Sequence, residues 1–143
     1  MRVKITRLDP TISLPAYGTA DAAGFDLAAA HDTVVEPGRI VLVGTGLVIG
    51  VPRGYCLLIF ARSSTPLKRG LLVANGVGVV DADYCGPTDE VRIQVMNVTD
   101  RPVTVARGDR LAQGILMPVP RVEWEEVERI ADAARGGFGS TGR

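Results

Sequence analysis

The chain has 143 residues, 46% of them hydrophobic, which suits one folded domain and argues against global disorder. Sixteen lysines and arginines balance sixteen aspartates and glutamates, so the chain lacks the positive field typical of proteins that bind nucleic acid or membrane surfaces. The opening segment MRVKITRL has no signal-peptide pattern and no apolar run approaches the ~20 residues that span a bilayer, so we expect a cytoplasmic, reducing location.

Short β-type runs separated by glycine and proline predict an all-β sandwich, barrel or jelly roll. In EVRIQVMN, apolar residues alternate with Arg92 and Gln94, the period of two that marks a half-buried strand. The glycines of GTGLVIG predict a strand bend, since no helix follows as in a dinucleotide-binding turn. The runs assigned to strands cover residues 3–8, 39–51, 55–61, 70–80, 90–97, 102–106 and 110–119.

One helix is predicted, over WEEVERIADAAR at residues 124–135, which has helical composition and is followed by Gly136. We expect a β domain over residues 1–128 and a mobile glycine-rich arm over residues 129–143. Composition alone favours a disordered end. However, Phe138 has no core to join there, and an exposed aromatic on a flexible arm makes sense if it closes over a flat ligand.

Histidine and cysteine usage excludes several kinds of site. His31 is the only histidine, so a zinc cluster built on histidines is excluded, and with no nucleophile motif beside it His31 is expected at the surface or in a loop. Cys56 lies in the apolar run GYCLLIF and is predicted to be a core residue. Neither Cys56 nor Cys85 belongs to a CxxC metal motif.

Two early segments place polar groups where they need partners. AGFDLAAA holds Asp26 in an apolar run, and such a carboxylate must be paired or hydrogen-bonded, so a structural ion pair with an arginine is one interpretation. FARSSTPLKRG combines Arg62 with Ser63 and Ser64 directly after an apolar strand. A guanidinium beside hydroxyls and turn amides can cradle phosphate, while a solvated basic loop is the alternative.

Two later segments also carry candidate chemistry. GVGVVDADYCG puts Asp81 in a turn, which predicts either a tight hairpin or a general base, with Tyr84 as a flat wall for a sugar or base. In GDRLAQ, Arg110 and Gln113 lie three residues apart and so face opposite sides of a strand. Without a bend they cannot serve one site, and one of them would be structural and the other functional.

The segments AGFDL, RSS, GVVDADYCG, GDRLAQ and RGGFGSTG follow one another in this order between residues 23 and 142. Together they resemble the five motifs of the trimeric dUTP pyrophosphatase (dUTPase) family. The resemblance implies a jelly-roll β fold and a homotrimer whose active sites are shared between subunits. It also implies Mg²⁺-assisted hydrolysis of dUTP to dUMP and pyrophosphate, which keeps uracil out of DNA and supplies dUMP for thymidylate synthesis.

The resemblance assigns roles to individual residues. Asp81 would activate the water that attacks the α-phosphorus, and Tyr84 would pack under the deoxyribose and crowd out a 2′-hydroxyl. Asn75 would help to read uracil, and Asp26 would act through the water shell of the metal or in a supporting ion pair. Phosphate-binding positions are Arg62, Ser63, Ser64 and Gln113. In the arm, substrate-binding positions are Arg135, Phe138 stacked on uracil, Gly139, and Ser140 and Thr141 at the γ-phosphate.

The chain departs from the family pattern at two places. Residues 87–89, PTD, are inserted after YCG, which lengthens a turn near the site. The arm is two residues shorter before GGFG, so Arg135 stands directly before Gly136, displaced from the usual position of the arginine.

Two alternatives share the same scaffold. The dCTP deaminase family has the RSS element but needs a catalytic glutamate where Gln94 stands, although Asp89 and Glu90 are close by. A nucleotide-binding regulator without activity is the second alternative, although no catalytic part is missing from the sequence.

Overall fold

A computed structural model describes residues 1–137, so the predictions for Phe138, Gly139, Ser140 and Thr141 lie outside the described residues. Within residues 1–137 the chain forms eleven strands and one π-helical turn of five residues, Thr65–Arg69. No helix in this described part is long and apolar enough to cross a membrane. The strands are β1 Lys4–Arg7, β2 Phe25–Ala28, β3 Thr33–Val35, β4 Ile40–Gly44, β5 Leu47–Gly50, β6 Tyr55–Ala61, β7 Leu71–Val73, β8 Gly78–Val80, β9 Arg92–Asn97, β10 Val103–Val105 and β11 Arg110–Pro118.

All strand pairs are antiparallel, and the all-β prediction is confirmed. A four-stranded sheet has the order β2-β11-β6-β8, and a three-stranded sheet has the order β4-β9-β7. Two further pairs, β1-β5 and β10-β3, complete the described strands. The inner faces of the two larger sheets meet in one hydrophobic core that includes Leu27, Leu57, Leu111, Ile93 and Val95, as in a β-sandwich or jelly roll.

The predicted strand pattern is largely confirmed, with two strands missed. Residues 39–51 divide into β4 and β5 at Gly46, whose φ of 66° confirms the bend that the glycines predicted. Strands β2 and β3 were not predicted. The alternation in β2 is short and runs into alanines, which are weak strand formers, so its pairing with the distant β11 decides its conformation.

The helix predicted over residues 124–135 is wrong. Residues 119–137 have no regular secondary structure, and Trp124 and Ile130 are 93% and 97% exposed. An isolated helix of this length is marginal in water, and residues 121–137 are all exposed, so within the described part of the chain nothing packs against them. The boundary at residue 128 between the β domain and the arm stays a prediction.

His31 is exposed and Cys56 is buried, as expected from the sequence.

Candidate active site

Asp26 on β2 lies between two arginines. Its Oδ1 atom is 2.8 Å from Nε of Arg62, and its Oδ2 atom accepts a hydrogen bond from Nη1 of Arg110 at 3.0 Å. The Asp26 side chain is only 18% exposed, so the arginines compensate for its partial loss of water. The ion-pair interpretation of Asp26 is therefore confirmed, with two arginines rather than one.

A bulge in β11 places Gln113 opposite Asp26, and the Gln113 side-chain amide donates to the Ala61 carbonyl at 3.3 Å. Pairing between β11 and β2 shifts register between Arg110 and Ala112, so Leu111 is the extra residue. Gln113 then lies directly opposite Asp26, and Arg110 still reaches it. The bulge supplies the bend that alternation along a strand lacks, so both residues lie at one site. Arg110 takes the structural part of that interpretation, since it pairs with Asp26, and the functional role of Gln113 stays a prediction.

The segment after β6 adds hydroxyls to this group. Ser63 is exposed and Ser64 is half-buried at the start of the helical turn, and within residues 1–137 the Ser64 side chain makes no capping bond. The buried Thr65 hydroxyl donates to the Leu111 carbonyl at 2.7 Å, which fixes the segment on β11. We call Asp26, Arg62, Ser63, Ser64, Arg110 and Gln113 the Arg62 cluster. Its two arginines and one carboxylate leave one positive charge for an anion.

A second ion pair ties the same segment to the turn before β11. Nη1 and Nη2 of Arg69 donate to the two carboxylate oxygens of Asp109 at 2.6 and 2.8 Å. The hydrogen bonds from Arg69 hold the pKa of Asp109 below its ordinary value, and burial opposes this shift. The fork geometry matches a bidentate arginine–carboxylate pair, the stronger kind. The Arg69–Asp109 pair therefore ties the segment after β6, which carries Arg62, to the turn that precedes Arg110.

We expect Asp109→Asn to lower the free energy of unfolding by about 1 kcal/mol at pH 7, after allowance for partial solvent screening. Folding lowers the pKa of Asp109 from its ordinary value of 3.8. The extra free energy of unfolding of the wild type is therefore fully present above pH 3.8 and is lost as the pH falls through the lower pKa of the folded state. Urea denaturation at fixed protein concentration between pH 7 and pH 3 measures this difference.

Asp132→Asn is the matched control for that prediction. Asp132 pairs with Arg129 at 3.7 Å, but its side chain is fully exposed, so its loss should leave the urea midpoint unchanged. An Asp109→Asn variant as stable as the wild type at pH 7 would show that the Arg69–Asp109 pair does not hold the segment.

Asp81 directly follows β8. Its side chain is exposed, and it lines a cavity of about 570 Å³ with Cys56 and Arg121 among its neighbours. The Asp81 carbonyl accepts the backbone N–H of Tyr84 at 3.3 Å, which closes a turn over residues 81–84 that we call the Asp81 turn.

The tight hairpin, one of the two interpretations of the segment around Asp81, is not formed. Strand β8 pairs with β6, whereas the strands on either side of it, β7 and β9, pair with each other in the three-stranded sheet. The chain therefore crosses between sheets at both ends of β8. Asn75 is exposed at the first crossing, where its carbonyl accepts the N–H of Val77 at 2.8 Å. Arg135 is exposed in the segment after β11.

The Asp81 turn and the Arg62 cluster lie at opposite ends of β6. Val80 pairs with Leu57, so Asp81 lies beside Cys56, near the first residue of the strand. Arg62 follows Ala61, the last residue of the strand. At about 3.3 Å per residue, the two groups are about 20 Å apart in one chain. A single chain thus brings Asp26, Arg62 and Gln113 together but leaves Asp81 and Tyr84 elsewhere.

Glu90, which lies close in sequence to Gln94 at the position of the deaminase glutamate, is already hydrogen-bonded within the fold. Its carboxylate accepts the Gly46 N–H at 2.7 Å and Nε of Arg92 at 3.1 Å, and its side chain is 14% exposed. Both of these partners belong to the fold itself, so the contacts give the Glu90 carboxylate a structural role. Its structural role was missed from the sequence because Gly46 lies 44 residues away.

Residues 1–137 contain no group of three histidine, cysteine, aspartate or glutamate side chains placed to hold a metal ion. Both oxygens of Asp26 already contact arginines. The described part of one chain therefore does not fit a metal that is bound directly by protein ligands.

The sequence and the fold of this chain are similar to those of known proteins. Residues 11–142 match the family model described as dUTPase. The deoxyuridine 5'-triphosphate nucleotidohydrolase of Thermobifida fusca (strain YX) is 43% identical over 145 residues, covering 99% of this chain and 79% of that protein. The protein of the same name from Nautilia profundicola is 39% identical and covers 100% of both chains. The crystal structure of dUTPase from Streptococcus mutans matches with a TM-score of 0.78 and 38% identity, over 85% of this chain and 98% of that one.

Proposed function

Because this chain belongs to the dUTPase family, we propose that it hydrolyses dUTP to dUMP and pyrophosphate. The observation that carries the proposal is the family match over residues 11–142, which contains the Arg62 cluster and the Asp81 turn. The reaction would remove a precursor of uracil in DNA and supply dUMP for thymidylate synthesis. A cytoplasmic location stays a prediction.

In the proposed mechanism, Asp81 is the general base. Its exposed carboxylate would accept a proton from the water that attacks the α-phosphorus, and the pyrophosphate would leave from the opposite side. Tyr84 would pack against the deoxyribose, since 42% of its surface is exposed beside Asp81. Asn75 would contact uracil.

The Arg62 cluster would bind the phosphates. A triphosphate carries about four negative charges at neutral pH, which the guanidinium of Arg62, the hydroxyls of Ser63 and Ser64 and the amide of Gln113 would meet with charge-assisted hydrogen bonds. Asp26 would hold Arg62 and Arg110 in place, which its two short contacts support. Mg²⁺, when bound, would offset part of the phosphate charge. Both Asp26 oxygens already contact arginines, so the triphosphate and water would supply most of the ligands of Mg²⁺. Asp26 would act on the metal indirectly, through water or through Arg62 and Arg110.

A homotrimer with shared sites would complete this arrangement. Because Asp81 and the Arg62 cluster are about 20 Å apart along β6, Asp81 would meet the Arg62 cluster of another chain. The outer face of the three-stranded sheet supports association, since exposed Ile40 and Leu72 flank Met96 in one row. The exposed Trp124 and Ile130 also gain a partner if the segment after β11 lies on a neighbouring subunit.

The arm over residues 129–143 is proposed to close over the bound nucleotide. Phe138 would stack on uracil, and Ser140, Thr141 and the amide of Gly139 would bind the γ-phosphate. Arg135 would add charge at that end. Closure that requires both the base and the γ-phosphate would exclude bulk water from the reaction.

Product analysis tests the proposed function. Purified protein with Mg²⁺ should release pyrophosphate and dUMP from dUTP and neither product from dATP, dGTP, dCTP or dTTP, and chelation of Mg²⁺ should lower the rate. Ammonia from dCTP would indicate the deaminase alternative instead. Nucleotide binding without turnover in the presence of Mg²⁺ would indicate the regulator.

A further inference from the structure

The inserted residues 87–89 lie in a compact turn that is closed from both ends. We call residues 86–90 the inserted turn. Oδ2 of Asp89 accepts the backbone N–H of Gly86 at 2.7 Å, and the N–H of Asp89 donates to the Gly86 carbonyl at 3.1 Å. The N–H of Glu90 donates to the Thr88 carbonyl at 2.8 Å. The insertion therefore does not loop out freely but returns the chain directly to Glu90.

Glu90 anchors the end of the inserted turn on the rest of the fold. Its carboxylate accepts the Gly46 N–H, and the next residue, Val91, donates its N–H to the Leu47 carbonyl at 2.8 Å. The buried Thr45 hydroxyl donates to the Val91 carbonyl at 2.6 Å. These bonds fix the backbone at Glu90 against the segment between β4 and β5.

The Tyr84 ring is held by this anchored backbone. Its hydroxyl donates to the Glu90 carbonyl at 3.1 Å, while 42% of the residue remains exposed. An exposed aromatic side chain on a turn would otherwise sample several rotamers. The contact fixes one end of the ring and leaves a face available to a ligand.

We propose that Asp89 and Glu90 are positioning residues for Tyr84, and that through it they set the discrimination between deoxyribose and ribose. The inference rests on the proposed function, in which Tyr84 packs against the sugar. A ring held at its hydroxyl leaves no room for a 2′-hydroxyl, whereas a ring free to move tolerates one. Neither Asp89 nor Glu90 needs to touch the nucleotide for this effect.

The first test removes the anchor. Glu90→Ala should lower the ratio of kcat/KM for dUTP to kcat/KM for UTP by about three- to tenfold, the usual effect of losing one hydrogen bond, mainly because UTP improves. Asp89→Ala should act in the same direction. Glu90→Gln should restore most of the ratio, since its amide oxygen can still accept the Gly46 N–H. Thr88→Ala is the matched control, because Thr88 is exposed in the same turn and contributes its carbonyl, which the substitution keeps.

A second variant disturbs Glu90 without changing it. A Cβ atom at Gly44 would clash with the Glu90 carboxylate, the movable end of a side chain. Gly44→Ala should therefore displace the carboxylate and reproduce the loss of discrimination seen in Glu90→Ala. Thermal melting of each variant establishes that the protein remains folded under the assay conditions.

A double substitution shows whether the effect passes through Tyr84. In a Tyr84→Phe background, Glu90→Ala should change the dUTP to UTP ratio less than twofold, because the hydroxyl contact is already gone. The inference would be overturned if the effects of Tyr84→Phe and Glu90→Ala on the dUTP to UTP ratio were additive. It would also be overturned if Glu90→Ala and Gly44→Ala were both folded and both kept the wild-type ratio. In either case, turnover of dUTP by the wild-type protein would leave the proposed function standing. Absence of dUTP turnover in the wild-type protein would instead defeat the proposed function.

Discussion

Asp81→Asn is expected to lower kcat for dUTP by about 10²- to 10⁴-fold, the contribution that a positioned general base usually makes. Asparagine keeps the shape of the side chain but cannot accept the proton of the attacking water. The Asp81 side chain is exposed, so its replacement leaves the fold intact. The dissociation constant for dUTP, measured by calorimetry with the inactive variant, should stay within a few fold of the wild-type KM.

Asp83→Asn provides the matched control. Asp83 is also exposed and lies two residues away in the same Asp81 turn, so it experiences nearly the same change in charge. We expect the kcat of Asp83→Asn to remain within about threefold of the wild-type value, because solvent screens the charge of an exposed carboxylate. Near-normal turnover by Asp81→Asn, or an equal loss in Asp83→Asn, would refute the assignment of Asp81 as the base.

Mixing Asp81→Asn with Arg62→Ala, each of which we expect to be inactive alone, should restore activity. Asp81→Asn lacks the base, and Arg62→Ala lacks the guanidinium of the Arg62 cluster. If each site takes Asp81 from one chain and Arg62 from its neighbour, an Arg62→Ala chain beside an Asp81→Asn chain forms one intact site. Random co-assembly in equal amounts should then regain about one quarter of wild-type activity, since each site draws its two parts independently.

The choice of Arg62→Ala keeps this experiment interpretable. Asp26 retains its contact with Arg110 at 3.0 Å when Arg62 is removed, so its carboxylate is not left without a partner. The proteins are mixed in mild denaturant and refolded together, and each variant refolded alone serves as the control. A different affinity tag on each variant shows that the refolded trimers contain both chains. If such mixed trimers recover no activity, Asp81 and Arg62 serve one site within a single chain.

Several features were predictable because they depend on neighbours in sequence. The alternation in EVRIQVMN identifies β9 from its own side chains, and the glycine between β4 and β5 marks the bend there. Cys56 in the core follows in the same way from its apolar surroundings. Asp26 needed a partner because it lies among apolar residues, although the sequence did not identify which arginine it would meet.

The sequence by itself therefore determined the all-β class, most of the strands and, through five ordered motifs, the family. The tertiary structure alone decided the bulge at Leu111 that brings Arg110 and Gln113 to Asp26, and the anchoring of Glu90 on Gly46. It also showed that residues 124–135 do not form a helix, since local composition cannot stabilise one without a packing surface. The reason is common to all three: strand register and tertiary contacts join residues far apart in the chain, and local patterns carry no information about which distant residues will meet.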